Sequence, residues 1–158
     1  MAVIDRSTVS IRFGGKDLDP DLITAALGEP TYVKKKGHPF TRGERTFIAG
    51  LNLWLKTCDY ANSGDVDLQI AKLLSGLSQD TAEWRRLTGL YRSDIFVGLF
   101  MQAQNEGFGL APETRRMVGE RGLKIDFDVY APDRRRQAGR LRRRYRVRLA
   151  ARYTVGEP

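Results

Sequence analysis

Residues Asp94 to Gln104 constrain the fold more than any other stretch of this chain. Ile95, Val97, Leu99, Met101 and Ala103 fall on one side of an extended backbone, and Phe96, Gly98 and Phe100 fall on the other. Successive side chains of a strand point to opposite faces, so a strand apolar on both belongs in the middle of a sheet. The chain must therefore supply strands on either side of it. Val9, Ile11 and Phe13 alternate with Ser10 and Arg12 until Gly14-Gly15 ends the pattern, which predicts one. Ile125, Phe127 and Val129 alternate with Asp126, Asp128 and Tyr130 and predict another. From Thr46 to Thr57, the apolar positions Phe47, Ala49, Leu51, Leu53 and Leu55 oppose Asn52 and Lys56, with Trp54 beside them, as in one long strand. The basic, turn-rich stretch Thr31 to Arg45, centred on Lys34-Lys35-Lys36-Gly37-His38-Pro39, predicts a loop or ragged hairpin.

Helix signals lie between these strands. Asp19-Pro20-Asp21 offers a capping carboxylate, a proline at the first helical position and an acid near the positive end of the dipole. Gly28 and Pro30 stop that helix. Asp65 starts a second, with Val66, Ile70, Leu73, Leu74 and Leu77 at helical spacing, and Asp80 with Glu83 starts a third carrying Trp84, Leu87 and Tyr91. Leu110-Ala111-Pro112-Glu113 opens a fourth, ended by Gly122. Leu18-Asp19-Pro20-Asp21 and Leu110-Ala111-Pro112-Glu113 stand 92 residues apart, each preceded and followed by a strand. Two strand–helix–strand units predict an α+β fold: an antiparallel sheet with helices mainly on one face, in a ferredoxin-like split βαβ duplication. Residues 65–91 then form an insertion or an extra layer. The expected organisation is one domain over 7–131 and a basic C-terminal extension over 132–158.

The net charge of +8 is unevenly placed. Residues 1–133 hold 17 Lys and Arg against 18 Asp and Glu, whereas residues 134–158 hold 10 Arg against Glu157 alone. Arg134, Arg135, Arg136, Arg140, Arg142, Arg143, Arg144, Arg146 and Arg148 form a field suited to phosphates or acidic surfaces. Leu141, Tyr145 and Leu149 recur at helical spacing behind Asp133 as a cap, while Tyr145, Val147, Leu149, Ala151, Tyr153 and Val155 also alternate as a strand would. Arg and Ala favour the helix, which is the expectation here. Cys58 is the single cysteine, so no disulfide can close within the chain, and a reducing, cytoplasmic setting is expected. No window approaches the ~20 apolar residues of a membrane span.

Val9-Ser10-Ile11-Arg12-Phe13, the Leu18-Asp19-Pro20 helix start, Leu27-Gly28-Glu29-Pro30, Leu53-Trp54-Leu55, the helix Ile70 to Leu77 and Gly122-Leu123-Lys124-Ile125-Asp126-Phe127-Asp128-Val129-Tyr130 occur in a set order. That order resembles the bacterial domain of unknown function 4279 family, over about residues 7–131. The resemblance implies a small bacterial α+β domain with no established activity and no catalytic residues to transfer. The Arg-rich segment lies outside it.

No side chains form a catalytic, metal or cofactor signature. His38 is the sole histidine, in a loop without a partner at a recognisable spacing, and is expected to be an exposed loop residue. Cys58 has only Lys56 as a nearby cation in sequence and is expected to be structural or incidental. Asp126 and Asp128 alternate on one strand, about 7 Å apart, but two carboxylates are too few for a typical metal site. Gly107-Phe108-Gly109 precedes a helix, the wrong order for the aromatic motifs of RNA-recognition domains. If helices cover one sheet face only, Trp54, Phe96, Phe100 and Tyr130 can share the other, and Trp54, Asp126, Asp128 and Tyr130 become a ligand face. The leading expectation is a non-enzymatic interaction module whose Arg-rich tail binds an acidic protein partner or nucleic acid. A small-molecule-binding or enzymatic domain using that sheet face is one alternative. An immunity or regulatory partner of another bacterial protein is a second.

Overall fold

A computed structural model describes residues 2–4, 6–58, 64–103 and 105–131. The arginines from Arg134 to Arg148, with the terminal helix or strand expected there, lie outside the described residues. In chain order the elements are β1 (Ala2–Val3), β2 (Arg6–Gly15), α1 (Pro20–Leu27), β3 (Tyr32–Lys34), β4 (Pro39–Arg42), β5 (Arg45–Ile48) and β6 (Asn52–Thr57). They continue as α2 (Val66–Ser75), α3 (Thr81–Leu90), β7 (Arg92–Phe100), β8 (Glu106–Gly107), α4 (Pro112–Glu120) and β9 (Ile125–Tyr130).

The architecture is α+β, with a five-stranded sheet in the order β3-β6-β2-β7-β9. β2 is antiparallel to both β6 and β7, and β3 is antiparallel to β6. β7 is parallel to β9, so the sheet is mixed where a wholly antiparallel one was expected. The two strand–helix–strand units also differ. β6 lies between β2 and β3, whereas β7 and β9 are direct neighbours. As the two-faced apolar pattern requires, β7 has a strand on each side.

The helix starts follow their capping chemistry. Asp19 accepts from the Asp21 amide, Asp65 from Leu68, and Asp80 from Ala82 and Glu83, meeting amides that have no partner within the first turn. Glu83 does not reach back to complete a capping box; it forms a two-pronged pair with Arg86 on the same helix. Gly122, with φ of 69°, ends the turn after α4 in a conformation that favours glycine.

All four helices among the described residues contribute to one apolar cluster with a single face of the sheet. Val9, Ile11 and Phe13 of β2, Trp54 of β6, and Ile95, Val97 and Leu99 of β7 meet Ile23, Leu27, Ile70, Leu74, Trp84, Leu87 and Val118. Phe13 stands edge-on to Trp54, with ring centroids 5.9 Å apart, and 6.1 Å from Trp84. Both indoles are buried with their N–H groups satisfied: Trp54 Nε1 donates to Thr24 Oγ1, and Trp84 Nε1 donates to the Ser78 carbonyl.

Two expected strands are shorter than their apolar alternation. The stretch from Thr46 to Thr57 is two strands of different sheets, because β5 pairs with β4 as a separate hairpin and β6 begins only at Asn52. The hairpin base is closed by Ala49, whose N–H donates to the His38 carbonyl and whose carbonyl accepts from Gly37. After it, the chain turns through Gly50 and Leu51 into the main sheet. Similarly, β7 ends at Phe100, and the amides of Gln102 and Ala103 turn to the Glu106 carboxylate. Phe13→Ala should leave a hole between the two indoles and cost about 3–5 kcal/mol. Urea unfolding followed by tryptophan fluorescence measures it; a loss below about 1 kcal/mol would contradict this packing.

Candidate functional site

None of the four helices among the described residues packs against the second face of the five-stranded sheet, whose residues Leu53, Arg12, Asp94 and Phe96 are nonetheless buried. The pairing register places on it Tyr32 and Lys34 of β3, Leu53 and Leu55 of β6, Thr8, Ser10 and Arg12 of β2, Asp94, Phe96, Gly98 and Phe100 of β7, and Asp126, Asp128 and Tyr130 of β9. Charged groups are therefore carried into a sheet whose opposite side is mainly apolar packing, interrupted by the buried Ser7–Gln69 hydrogen bond. A Cβ on Gly98 would come within 2.8 Å of the Thr8 methyl, so that position admits close strand packing without a side chain.

Arg12 and Asp94 are direct cross-strand partners. Arg12 Nε donates to Asp94 Oδ1 at 2.7 Å and Nη2 donates to Oδ2 at 2.8 Å, a planar two-bond contact that suits guanidinium and carboxylate geometry. Their exposures are 2% and 1%. The guanidinium carbon also lies 4.3 Å from the centre of the Phe96 ring. Asp126 continues the charge array, with Oδ2 4.0 Å from Arg12 Nη2 and 2.9 Å from Lys124 Nζ. The bond from Lys124 holds the Asp126 carboxyl below its ordinary value of 3.8, with the Lys124 charge, Asp94 and Arg12 adding to the effect.

Beyond this array the face becomes aromatic. Phe100 and Tyr130 stack with centroids 4.9 Å apart and planes 11° from parallel, and Arg6 lies over Phe100 at 4.9 Å. The Tyr130 hydroxyl donates to Asp128 Oδ2 at 2.5 Å. Asp128 and Tyr130 thus hold each other on the strand surface.

At the opposite edge of the sheet, β3 and β4 form an open cleft of about 520 Å³ lined by Tyr32, Val33, Lys34, Lys35, His38, Pro39, Phe40 and Thr41. Lys34 is only 3% exposed, and its Nζ has no hydrogen-bond partner. The Phe40 ring lies 4.8 Å from that nitrogen. A cation–π contact contributes about 0.5–2 kcal/mol, whereas removing an ammonium from water costs roughly several kcal/mol. The ring therefore does not offset the burial, which pulls the Lys34 pKa below the ordinary 10.5. Neighbouring Lys35 turns instead to Asp21, 2.6 Å away.

The fold divides the ligand face expected from sequence. Asp126, Asp128 and Tyr130 share the face away from the four described helices as their alternation required, but Trp54 is 0% exposed on the other face, beneath α1. It is paired with Phe13, one register step from Leu53 and Leu55. Phe96 and Phe100 do share the face with Tyr130. His38 is exposed and lines the cleft, and Cys58 packs against the core cluster. Arg12, Asp94 and Lys34 are the residues that sequence reading passed over. Their signal was present: a lone cation inside the apolar run of β2, a carboxylate heading β7, and a lysine at the end of Tyr32-Val33-Lys34. Among the described residues no group of three or more His, Cys, Asp or Glu could hold a metal ion. No helix among them is long and apolar enough to cross a membrane.

Two stability measurements follow from the buried charges. Arg12→Leu removes the guanidinium that makes two hydrogen bonds to the buried Asp94 carboxylate and should cost about 3–5 kcal/mol, while adding Asp94→Leu should recover most of that loss. Chemical denaturation of the wild type, both single variants and the double variant checks it; a double variant as unstable as Arg12→Leu contradicts the assignment. Lys34→Met removes an unpaired buried cation and should raise the melting temperature near neutral pH. Because burial lowers the folded-state pKa below 10.5, the wild type gains stability as pH rises from that lowered pKa towards 10.5. The advantage of Lys34→Met should therefore shrink over that window, and an advantage independent of pH would count against a buried ammonium.

A family model described as Domain of unknown function (DUF4279) matches residues 5–132. No curated protein and no solved structure matches the chain. The matched span takes in all five strands of the main sheet and the four helices among the described residues, from β2 at one end to β9 at the other. The chain belongs to the DUF4279 family.

Proposed function

We propose that this chain is a non-enzymatic interaction module: one α+β domain over 7–131, and an Arg-rich extension over 132–158 that meets nucleic acid or an acidic protein. The charge partition supports the reading, because residues 134–158 carry 10 Arg against one Glu while the rest of the chain is close to neutral. Guanidinium groups neutralising phosphates release condensed counter-ions, so binding through them is steeply salt-dependent and largely indifferent to sequence. A cytoplasmic, bacterial setting accompanies this proposal, supported by the single Cys58 and by the family resemblance. Its kinship with ferredoxin-like folds rests on the first half of the sheet, where β6 separates β2 from β3.

Binding to random duplex DNA, single-stranded RNA and an acidic protein, measured by fluorescence anisotropy across a salt series, tests the reading. If six to ten arginines touch phosphates, affinity for nucleic acid should fall roughly 10³ to 10⁵-fold between 50 and 200 mM salt. A full-length variant with glutamine at the nine arginine positions from Arg134 to Arg148 should lose that binding. Equal binding by the variant removes the role of this segment.

The sheet face turned away from the four described helices supports a second reading, as a ligand-binding face. Arg12, Asp94, Asp126, Asp128 and Tyr130 are brought onto one side of three adjacent strands, with Phe96 and Phe100 between them.

A further inference from the structure

The cleft at the β3 edge stands apart from the Arg12–Asp94 array, with β6 between them. Lys34 brings to it a buried nitrogen with donors and no acceptor, where native structures as a rule satisfy such groups. The cleft lining contains Lys34, Lys35 and His38 and no carboxylate. Lys35 is already engaged by Asp21 outside that lining, which leaves Lys34 as the cation within the cleft whose charge is not met. Tyr32 and Phe40 add a hydroxyl and a ring face beside it. An anion entering here would meet an ammonium already stripped of water, where an opposite charge is worth more than at an open surface.

We infer that the cleft between β3 and β4 binds a small molecule through an oxyanion group, a phosphate or a carboxylate, with the Lys34 ammonium as its counter-charge. A bound oxyanion supplies the acceptor that Lys34 lacks and favours the protonated amine. The ligand body then rests against the Phe40 ring or the Tyr32 phenol. Selection between the two anions falls to the number of oxygens that reach the nitrogen.

Nuclear magnetic resonance titration of the full chain tests this, with inorganic phosphate and acetate as probes and chloride adjusted to hold ionic strength constant. Saturable shifts are expected in the amides of residues 32–41 with one or both anions, and the stronger probe identifies the oxyanion class. Lys34→Met should weaken that binding at least tenfold, whereas Lys36→Met, an exposed lysine outside the lining, should leave it within twofold. The Lys34 Cε resonance of the wild type provides a reading independent of any variant, since its titration should move to higher pH in the saturating anion. The inference is overturned if neither anion moves residues 32–41, if Lys34→Met binds as the wild type does, or if the Lys34 titration stays in place. Shifts confined to residues 134–152 would support the polyanion role of that segment and overturn the cleft site.

Discussion

Arg12 and Asp94 meet across the β2–β7 ladder with almost no solvent around them, and both faces of the sheet are arranged by the register that brings them together. On the helix side, the same register sets Ile11 opposite Ile95 and Val9 opposite Val97. A slip of one residue would turn the apolar set away from the helices and part the two buried charges. Burying the pair confers little net stability by itself, because the desolvation of two ions roughly cancels their attraction. Its force lies in the cost of every alternative alignment. The charges thus act on specificity of pairing, while Phe13, Trp54 and Trp84 supply the apolar burial that holds the layers together.

Much of this organisation was legible in the residues. Asp19, Asp65 and Asp80 announced three helix starts because capping is local, decided by a side chain and amides two or three positions away. The interior position of β7 followed from its apolar character on both faces. Pairing partners were less legible. Phe47 and Leu53 belong to one alternating run, yet only Leu53 joins the main sheet, since a change of partner at Gly50 alters no local pattern. Trp54 sits among apolar neighbours on both sides, so alternation gave no face for it, and the choice fell to Phe13 across the ladder.

The candidate sites show the same division. Asp126, Asp128 and Tyr130 share a face by strand periodicity alone. Polar alternation at Arg12 does not distinguish water from a buried counter-ion 82 residues away. Lys34 looked like the first member of a solvated Lys-Lys-Lys run. Strand periodicity separates it from Lys35, and only the fold of β4, with Phe40 over the ammonium, withdraws it from water. Adjacent lysines in one tripeptide thereby acquire different chemistry.

The order in which β2 finds its neighbours bears on how the chain is made. β2 is near the N-terminus, but its contact with β6 joins Ser10 to Thr57, 47 residues on, and its contact with β7 joins Arg12 to Asp94, 82 residues on. Within the main sheet, β2 is therefore synthesised before the other four strands, and its second flank follows much later. Until β7 is synthesised, one edge of β2 stays open with its apolar side chains available to other chains, so nascent protein is most prone to association during that interval.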